Sequence, residues 1–455
     1  MTVPSLPQGM RDFDATTVQK RHYILDTIKD IFVLHGFLPL ETPAMENLDT
    51  LLGKYGDEGD KLIFKVLNNG LNDEKNKEKA ARGFEKLMAG KATTELTERA
   101  LKYDLTIPFA RYVAMNKNTI TLPFKRFQTQ AVWRADRPQR GRYREFTQCD
   151  VDVVGSKSLW NEVDLAKIYH EALTSLGLIN YSLQINNRKI LSALAEKINA
   201  EEKMTAITVI IDKLDKVGME KLTTLLQEIN LEEAQVNTVV EYLKIKGTNE
   251  EKINLLTDFF GGNTTATQGI EELSFIIENC RSININIDQT LARGLNYYTG
   301  CIFEVKAPKE VSIGSIGGGG RYDDLTGMFG VKDIPGVGIS FGIDRIYDVL
   351  EELNLFPDGL AQSLKAVFFN MGEETIANCH NLADQLRKEN IACEVYAENA
   401  KLDKQFKYAE KKGIPFVIMI GVDELTEQIA SVKELKTGLQ HKVKFNEVAD
   451  FLNKG

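Results

Sequence analysis

The chain has 455 residues, a formal net charge of -9, and 43% hydrophobic against 27% charged residues. That length exceeds what a single core usually supports, so two or more domains are expected, and the composition is that of a soluble globular protein. No run of about eighteen apolar residues suggests a membrane span, and "MTVPSLPQGMRDF" lacks the basic-then-apolar layout of a secretory leader, so a cytoplasmic protein with no membrane partner is expected.

From Val18 to Leu34 the apolar residues Ile24, Ile28, Ile31 and Phe32 recur at helical spacing, and "HGFLPLETP" turns at Gly36 into an extended segment ending at Pro43. Residues 68–99 are dense in Lys, Glu, Asn and Gly, with a weak helical pattern around Phe84, Leu87 and Met88, which predicts a mobile insertion. "PFKRFQTQAVWRA" then alternates, with Phe127, Thr129, Ala131 and Trp133 on one face and Gln128, Gln130 and Arg134 on the other. The returning segment places Arg144, Phe146, Gln148, Asp150 and Asp152 opposite Cys149, Val151 and Val153, which predicts an antiparallel hairpin with an arginine-rich tip. Amphipathic helices, one with Leu191, Leu194 and Ile198 on its apolar face, read as a helical insertion over about 188–260. Residues 351–363 have linker character, and over 364–455 "KAVFFNM", "CEVYAE" and "PFVIMIG" alternate with two helical patterns, as in a small α/β unit. The five cysteines are scattered and never spaced C-x-x-C, and the five histidines are equally dispersed; buried thiols are expected, without a disulfide framework or a zinc site.

Arg134, Arg137, Arg140, Arg142 and Arg144 fall within eleven residues. Guanidinium groups this close repel one another unless an anion lies between them, and arginine grips phosphate or carboxylate bidentately. The polar strand face beside them either meets solvent or serves a ligand, to which Gln148, Asp152 and Phe146 would offer donors, an acceptor and a stacking surface. "SIGGGGRYDDL" has no G-K-[ST] and does not complete G-x-G-x-x-G; "GVGISFG" misses the same fingerprint because Phe341 stands at the third glycine. Four successive glycines permit either close approach of a ligand to the backbone or a kinked strand. Arg345 falls in the first turn of a predicted helix, where the macrodipole disfavours a cation by roughly 0.3–1 kcal/mol. A phosphate at that helix start, or pairing with Asp344 or Asp348, would compensate. Arg293, set between apolar residues and glycine in "LARGLNYYTG", has no evident surface role.

These pieces resemble the class II aminoacyl-tRNA synthetases: "GFLPLETP" resembles motif 1, the arginine hairpin motif 2, and "GVGISFGIDRI" motif 3. "LARGLNYYTG", "GGGGRYDDL" and "LKYDLTIPFARY" narrow the resemblance to the histidyl-tRNA synthetase family, and the matches run from Gly36 to Leu350. Asp104, Asp136 and Asp152 stand where many members carry Glu, and Asn296 where Asp is common.

The resemblance implies an α+β catalytic domain (1–350) on an antiparallel sheet with a helical insertion, followed by an α/β anticodon-binding domain (364–455). It implies ATP-dependent activation of L-histidine and transfer to tRNA(His), with ATP as substrate, Mg²⁺ as cofactor and a homodimer as the assembly. By resemblance Arg134 and Arg293 are catalytic. Asp104, Thr106, Arg134, Gln148, Asp152, Arg293, Tyr297, Tyr298 and Tyr322 hold histidine; Arg134, Asp136, Arg142, Phe146 and Arg345 hold ATP. No metal ligands on the protein are assigned. The alternative is a synthetase-like regulatory subunit that binds histidine without aminoacylation activity. The helix carrying Lys401, Lys404, Lys407, Lys411 and Lys412 is either a candidate tRNA face or a merely solvated lysine face.

Overall fold

A computed structural model of the chain describes residues 3–91, 93–292, 297–360 and 364–454. It divides into two compact units, Met1–Phe356 and Pro357–Gly455.

In the first unit, the helix Ala15–Leu34 starts where the Asp14 carboxylate accepts the Thr17 N–H at 2.8 Å, and it buries Ile24, Ile28, Ile31 and Phe32. Gly36, at φ 78°, turns the chain into strand β1 (Leu38–Pro39). A small sheet follows from β2 (Met45–Asn47), β3 (Lys65–Val66) and β4 (Arg99–Leu101), with β4 in the middle. Within 68–99 lies a helix, Lys77–Met88, whose Gly83 packs against Leu96 while Phe84, Leu87 and Met88 remain exposed.

The main sheet adds β5 (Phe124–Trp133), β6 (Glu145–Val154), β7 (Ser182–Asn187), β8 (Ile285–Ile287), β9 (Cys301–Lys306), β10 (Ser315–Tyr322) and β11 (Gly336–Gly342). Its order is β1-β5-β6-β11-β10-β9-β7-β8, antiparallel except at the outer pairs β1/β5 and β7/β8. β5 and β6 pair from Phe124↔Val154 to Trp133↔Glu145, the predicted hairpin. Strand periodicity divides β6 between two environments. Cys149, Val151 and Val153 join one core with Ile24 and Phe32 of the first helix, Tyr169 of the helix Trp160–Ser175, and Ile346 of the helix Ile343–Glu352. Phe146, Gln148, Asp150 and Asp152 face the other way, toward the site, while Val154 joins a second apolar cluster. On the last of these helices Val349 is buried, in addition to Ile343, Ile346 and Leu350.

The helical stretch expected over about 188–260 continues to Glu278, ending with the helix Thr264–Glu278. The second unit carries β12 (Ala366–Phe368), β13 (Cys393–Val395), β14 (Phe416–Met419), β15 (Ile429–Glu434) and β16 (Gln440–Lys444), ordered β13-β12-β14-β15-β16. Its first three strands are parallel. β15 and β16 form an antiparallel hairpin turning through Gly438 at φ 75°. All five cysteines are free and buried. Among the described residues no helix is long and apolar enough to cross a membrane.

Candidate active site

The polar face of β6 is the floor of two adjoining cavities, of 60 Å³ and 400 Å³. Their walls share Arg134, Gln148, Tyr298, Gly318, Gly319 and Ser340. The alternation of β6 sets Phe146 in the larger cavity, Gln148 at the seam, and Asp150 and Asp152 in the smaller one.

The small cavity is polar and buried. Asp104 and Thr106 line it together with Tyr297, Tyr298 and Tyr322. Asp104 Oδ1 accepts from the Tyr55 hydroxyl at 2.9 Å and the Ile107 N–H at 3.1 Å, whereas Oδ2 is buried without a hydrogen-bond partner. Gln148 Nε2 donates to Ser340 Oγ at 3.3 Å and faces Asp150 Oδ1 at 3.5 Å; its Oε1 is likewise buried and unpartnered. Two acceptors in such surroundings carry a desolvation penalty that an incoming donor, above all a cationic one, would relieve.

Asp152 is held from two sides. The Tyr322 hydroxyl donates to Oδ1 at 2.5 Å, and the Arg126 guanidinium lies 2.9 Å from Oδ2. Arg126 is fully buried and stacks over Phe109 at 4.1 Å. A Cβ on Gly338 would lie 1.9 Å from Asp152 Oδ1, and one on Gly320 would lie 2.9 Å from the Tyr298 ring. The glycine-rich segment is thus a paired strand, β10, and at these two positions the glycines admit a carboxylate and a tyrosine into the wall. Burial pushes the carboxyls of Asp104 and Asp152 above the usual range and that of Asp150 up to about 7, while Arg126 pulls against the shift in each. Burial also raises the hydroxyls of Tyr297, Tyr298 and Tyr322, which keeps them neutral donors.

The larger cavity is lined by arginines. Arg134 lies over the rings of Tyr103 and Phe146, at 4.3 and 5.1 Å, and its Nε donates to the Tyr103 carbonyl at 3.0 Å. Arg142 sits 3.6 Å from Asp136. Arg345 donates from Nε to the Gly141 carbonyl at 3.0 Å and from Nη1 to the Ser315 carbonyl at 2.7 Å. Asp344, one of the two partners considered for Arg345, is instead engaged by Arg11 and Arg21. Arg140 pairs with Glu352 at 2.7 Å and Arg144 Nε donates to the Asp136 carbonyl at 3.1 Å, so both are occupied away from the cavity centre.

Every expected ligand-binding residue among the described residues lines one cavity or the other. Arg293 and Asn296 lie outside the described residues. Sequence reasoning missed Arg126, Asp150 and Ser340 as parts of the site. Parity was the available signal: Arg126 shares the β5 face of Gln128 and Gln130, and Asp150 shares that of Gln148 and Asp152.

A family model described as histidyl-tRNA synthetase matches residues 85–346, and one described as anticodon binding domain matches residues 365–455. A histidine–tRNA ligase of Christiangramia forsetii is 48% identical over 454 residues, 99% of each chain. One of Flavobacterium johnsoniae is 49% identical over 462 residues, 97% of each. The crystal structure of histidyl-tRNA synthetase from Nostoc sp. PCC 7120 matches at a TM-score of 0.82 and 30% identity over 100% of both chains. At 19% identity and a TM-score of 0.69 over 89% of this chain, the structure described as an ATP phosphoribosyltransferase regulatory subunit/histidyl-tRNA synthetase from Bacillus halodurans C shares the fold.

Proposed function

The chain belongs to the histidyl-tRNA synthetase family, and from that premise we propose how its two cavities divide the work. It acts as a class II histidine–tRNA ligase, activating histidine with ATP and transferring the histidyl group to tRNA(His). In the first step a histidine carboxylate oxygen attacks the ATP α-phosphorus, the bond to the bridging oxygen breaks, and pyrophosphate leaves. In the second a hydroxyl of the terminal tRNA ribose attacks the acyl carbon, releases AMP and loses its proton.

The small cavity takes histidine. Its α-ammonium sits between Asp104 Oδ2 and Gln148 Oε1, with Thr106 beside it, and these two unpartnered acceptors on one cavity are the observation that carries the reading. A neutral imidazole has one donor and one acceptor. Asp152 accepts from the first and the Tyr298 hydroxyl donates to the second, while Tyr297 and Tyr322 fix the wall. A site whose buried polar groups need partners rejects apolar amino acids by orders of magnitude.

The larger cavity takes ATP. Phe146 stacks on adenine near Asp136, Arg142 and Arg345 hold the outer phosphates, and Arg134, at the seam, meets both the α-phosphate and the histidine carboxylate. Arg293 is the second catalytic arginine of this reading. Mg²⁺ fits as an ion carried in on the phosphates. Asp136 and Glu304 line the cavity, and a hard, mostly hydrated cation takes one or two such carboxylates plus phosphate oxygens. When bound it offsets phosphate charge. Among the described residues no group of three or more His, Cys, Asp or Glu is gathered to hold a metal without the nucleotide.

The second unit serves the anticodon arm, with the exposed lysines of the helix Leu402–Lys411 and its flanks as its face. A homodimer is supported by β1, which ends the sheet with Val33, Leu34 and Leu38 exposed beside it; light scattering at micromolar concentration should give twice the chain mass. ATP-dependent charging of tRNA(His) with labelled histidine tests the whole reading. A chain that binds histidine but neither forms adenylate nor charges tRNA would be the regulatory-subunit alternative.

A further inference from the structure

The segment ahead of the first helix lies outside the sheet, yet it grips the arginine loop between β5 and β6. The Gly9 carbonyl accepts the Arg144 N–H at 2.9 Å. Gly9 has φ 80°, and a Cβ there would come within 2.8 Å of Pro138 and 2.9 Å of Arg144, so its backbone lies directly against the loop. Two residues on, the Arg11 guanidinium lies 3.2 Å from the centroid of the Tyr143 ring and forms an ion pair with Asp344.

Asp344 is a meeting point. It is 5% exposed, and it also binds Arg21 of the first helix at 2.6 Å and accepts the Thr147 N–H of β6 at 3.2 Å. Arg21 in turn donates to Thr147 Oγ1 at 3.0 Å. The amino-terminal segment, the first helix, the root of β6 and the helix that carries Arg345 therefore converge on one carboxylate.

Inside the loop, the Gln139/Arg142 bridge, the Arg142–Asp136 ion pair at 3.6 Å, the Arg134 N–H bond to the Arg144 carbonyl and the Arg144 Nε bond to the Asp136 carbonyl shape its own course. Arg134 and Ala135 fasten its start to Tyr103 and Leu62 and Arg140 pairs with Glu352, while Arg345 at Gly141 and the amino-terminal segment at Tyr143 and Arg144 hold the part around Arg142. Tyr143 lines the larger cavity next to Arg142. We propose that Arg11 is a positioning residue of the nucleotide site: stacked on Tyr143 and paired with Asp344, it holds the 134–144 loop in the shape that presents Arg142 to phosphate. This rests on the reading of the larger cavity as the ATP site.

Because Arg21 also pairs with Asp344, losing Arg11 does not leave that buried carboxylate alone, and an Arg11→Gln variant should fold. Wild-type pyrophosphate exchange with histidine is measured first, and its absence would refute the ATP reading, not the role of Arg11. With exchange established, Arg11→Gln should raise the ATP KM roughly tenfold, as losing a half-buried stacked cation would, and leave the histidine KM and kcat near wild type. Trypsin should cut faster at Arg140 and Arg142 in the variant, with cleavage sites read by mass spectrometry. Arg11→Lys keeps the charge without the planar stack and should fall between. In a Tyr143→Leu background, adding Arg11→Gln should change the ATP KM no further. An unchanged ATP KM in a folded Arg11→Gln protein, or fully additive effects in the double variant, would overturn the proposal.

Discussion

The two cavities meet along one strand and are built in contrasting ways. The smaller is walled largely by β6, β10 and β11, and its carboxylates are partly held within the protein: Arg126 and Tyr322 on Asp152, Tyr55 on one oxygen of Asp104. The larger takes its arginines from a loop and a helix start, and they rest on backbone carbonyls or the half-buried Asp136. Under the proposed assignment of histidine to the smaller cavity and ATP to the larger, the difference follows the ligands. An imidazole is told from other side chains by two hydrogen bonds at fixed positions, which calls for a stiff wall; phosphates are recognised mainly by charge, which a loop can supply.

Removing one arginine from each side should expose that contrast most sharply. Arg126→Leu strips a buried carboxylate of its cation and should destabilise the fold by about 3–5 kcal/mol, whereas Arg142→Ala should change stability by no more than about 0.5 kcal/mol and act on the ATP KM. Denaturant melts of the two variants check this. Equal stability would mean that the small cavity is no more prearranged than the large one.

On the proposed reading the reacting atoms meet at the seam, and Arg293, outside the described residues, is the second catalytic arginine. Arg293→Ala and Arg293→Lys should each slow single-turnover adenylation by roughly 10²–10³, the loss typical of one preorganised donor to a transition state, with the melting temperature barely moved. Near-normal rates in both would reduce Arg293 to a structural residue.

Gly338→Ala probes the stiff wall alone. Since its Cβ would stand 1.9 Å from Asp152 Oδ1, the carboxylate must shift, and a displacement of about 1 Å can cost roughly 10²-fold in rate. The loss should appear in histidine-dependent exchange while the ATP KM stays put. If the ATP KM rose in parallel, the cavities would not be separable.

A further test concerns pH. Asp150 is lifted to about 7 from an ordinary value of 3.8, so its contribution favours the folded state at low pH and is lost as pH rises from about 4 through about 7. Asp150→Asn removes that loss. The melting temperature of the variant relative to wild type should therefore climb across this range, and a constant offset would argue against a titrating Asp150.

The arginine hairpin, the helix after β11 and the parallel part of the second unit were legible because each depends on local periodicity. Phe127, Cys149 and Val151 had to face a core, which sent Gln148 and Asp152 to the other side. Arg126 escaped because its partner, Asp152, lies across a strand pairing that composition does not report. The Asp344 meeting point escaped for the same reason, joining residues 333 positions apart. β16 escaped because Gln440, His441, Lys442 and Lys444 are exposed and only Val443 is buried, leaving no apolar alternation to read.

The claim that the small cavity alone decides the substrate is tested most directly by ATP–pyrophosphate exchange on the purified chain with each of the twenty amino acids in turn. Histidine should stimulate exchange, and the others should fall short by orders of magnitude. Comparable stimulation by any other amino acid would contradict the account.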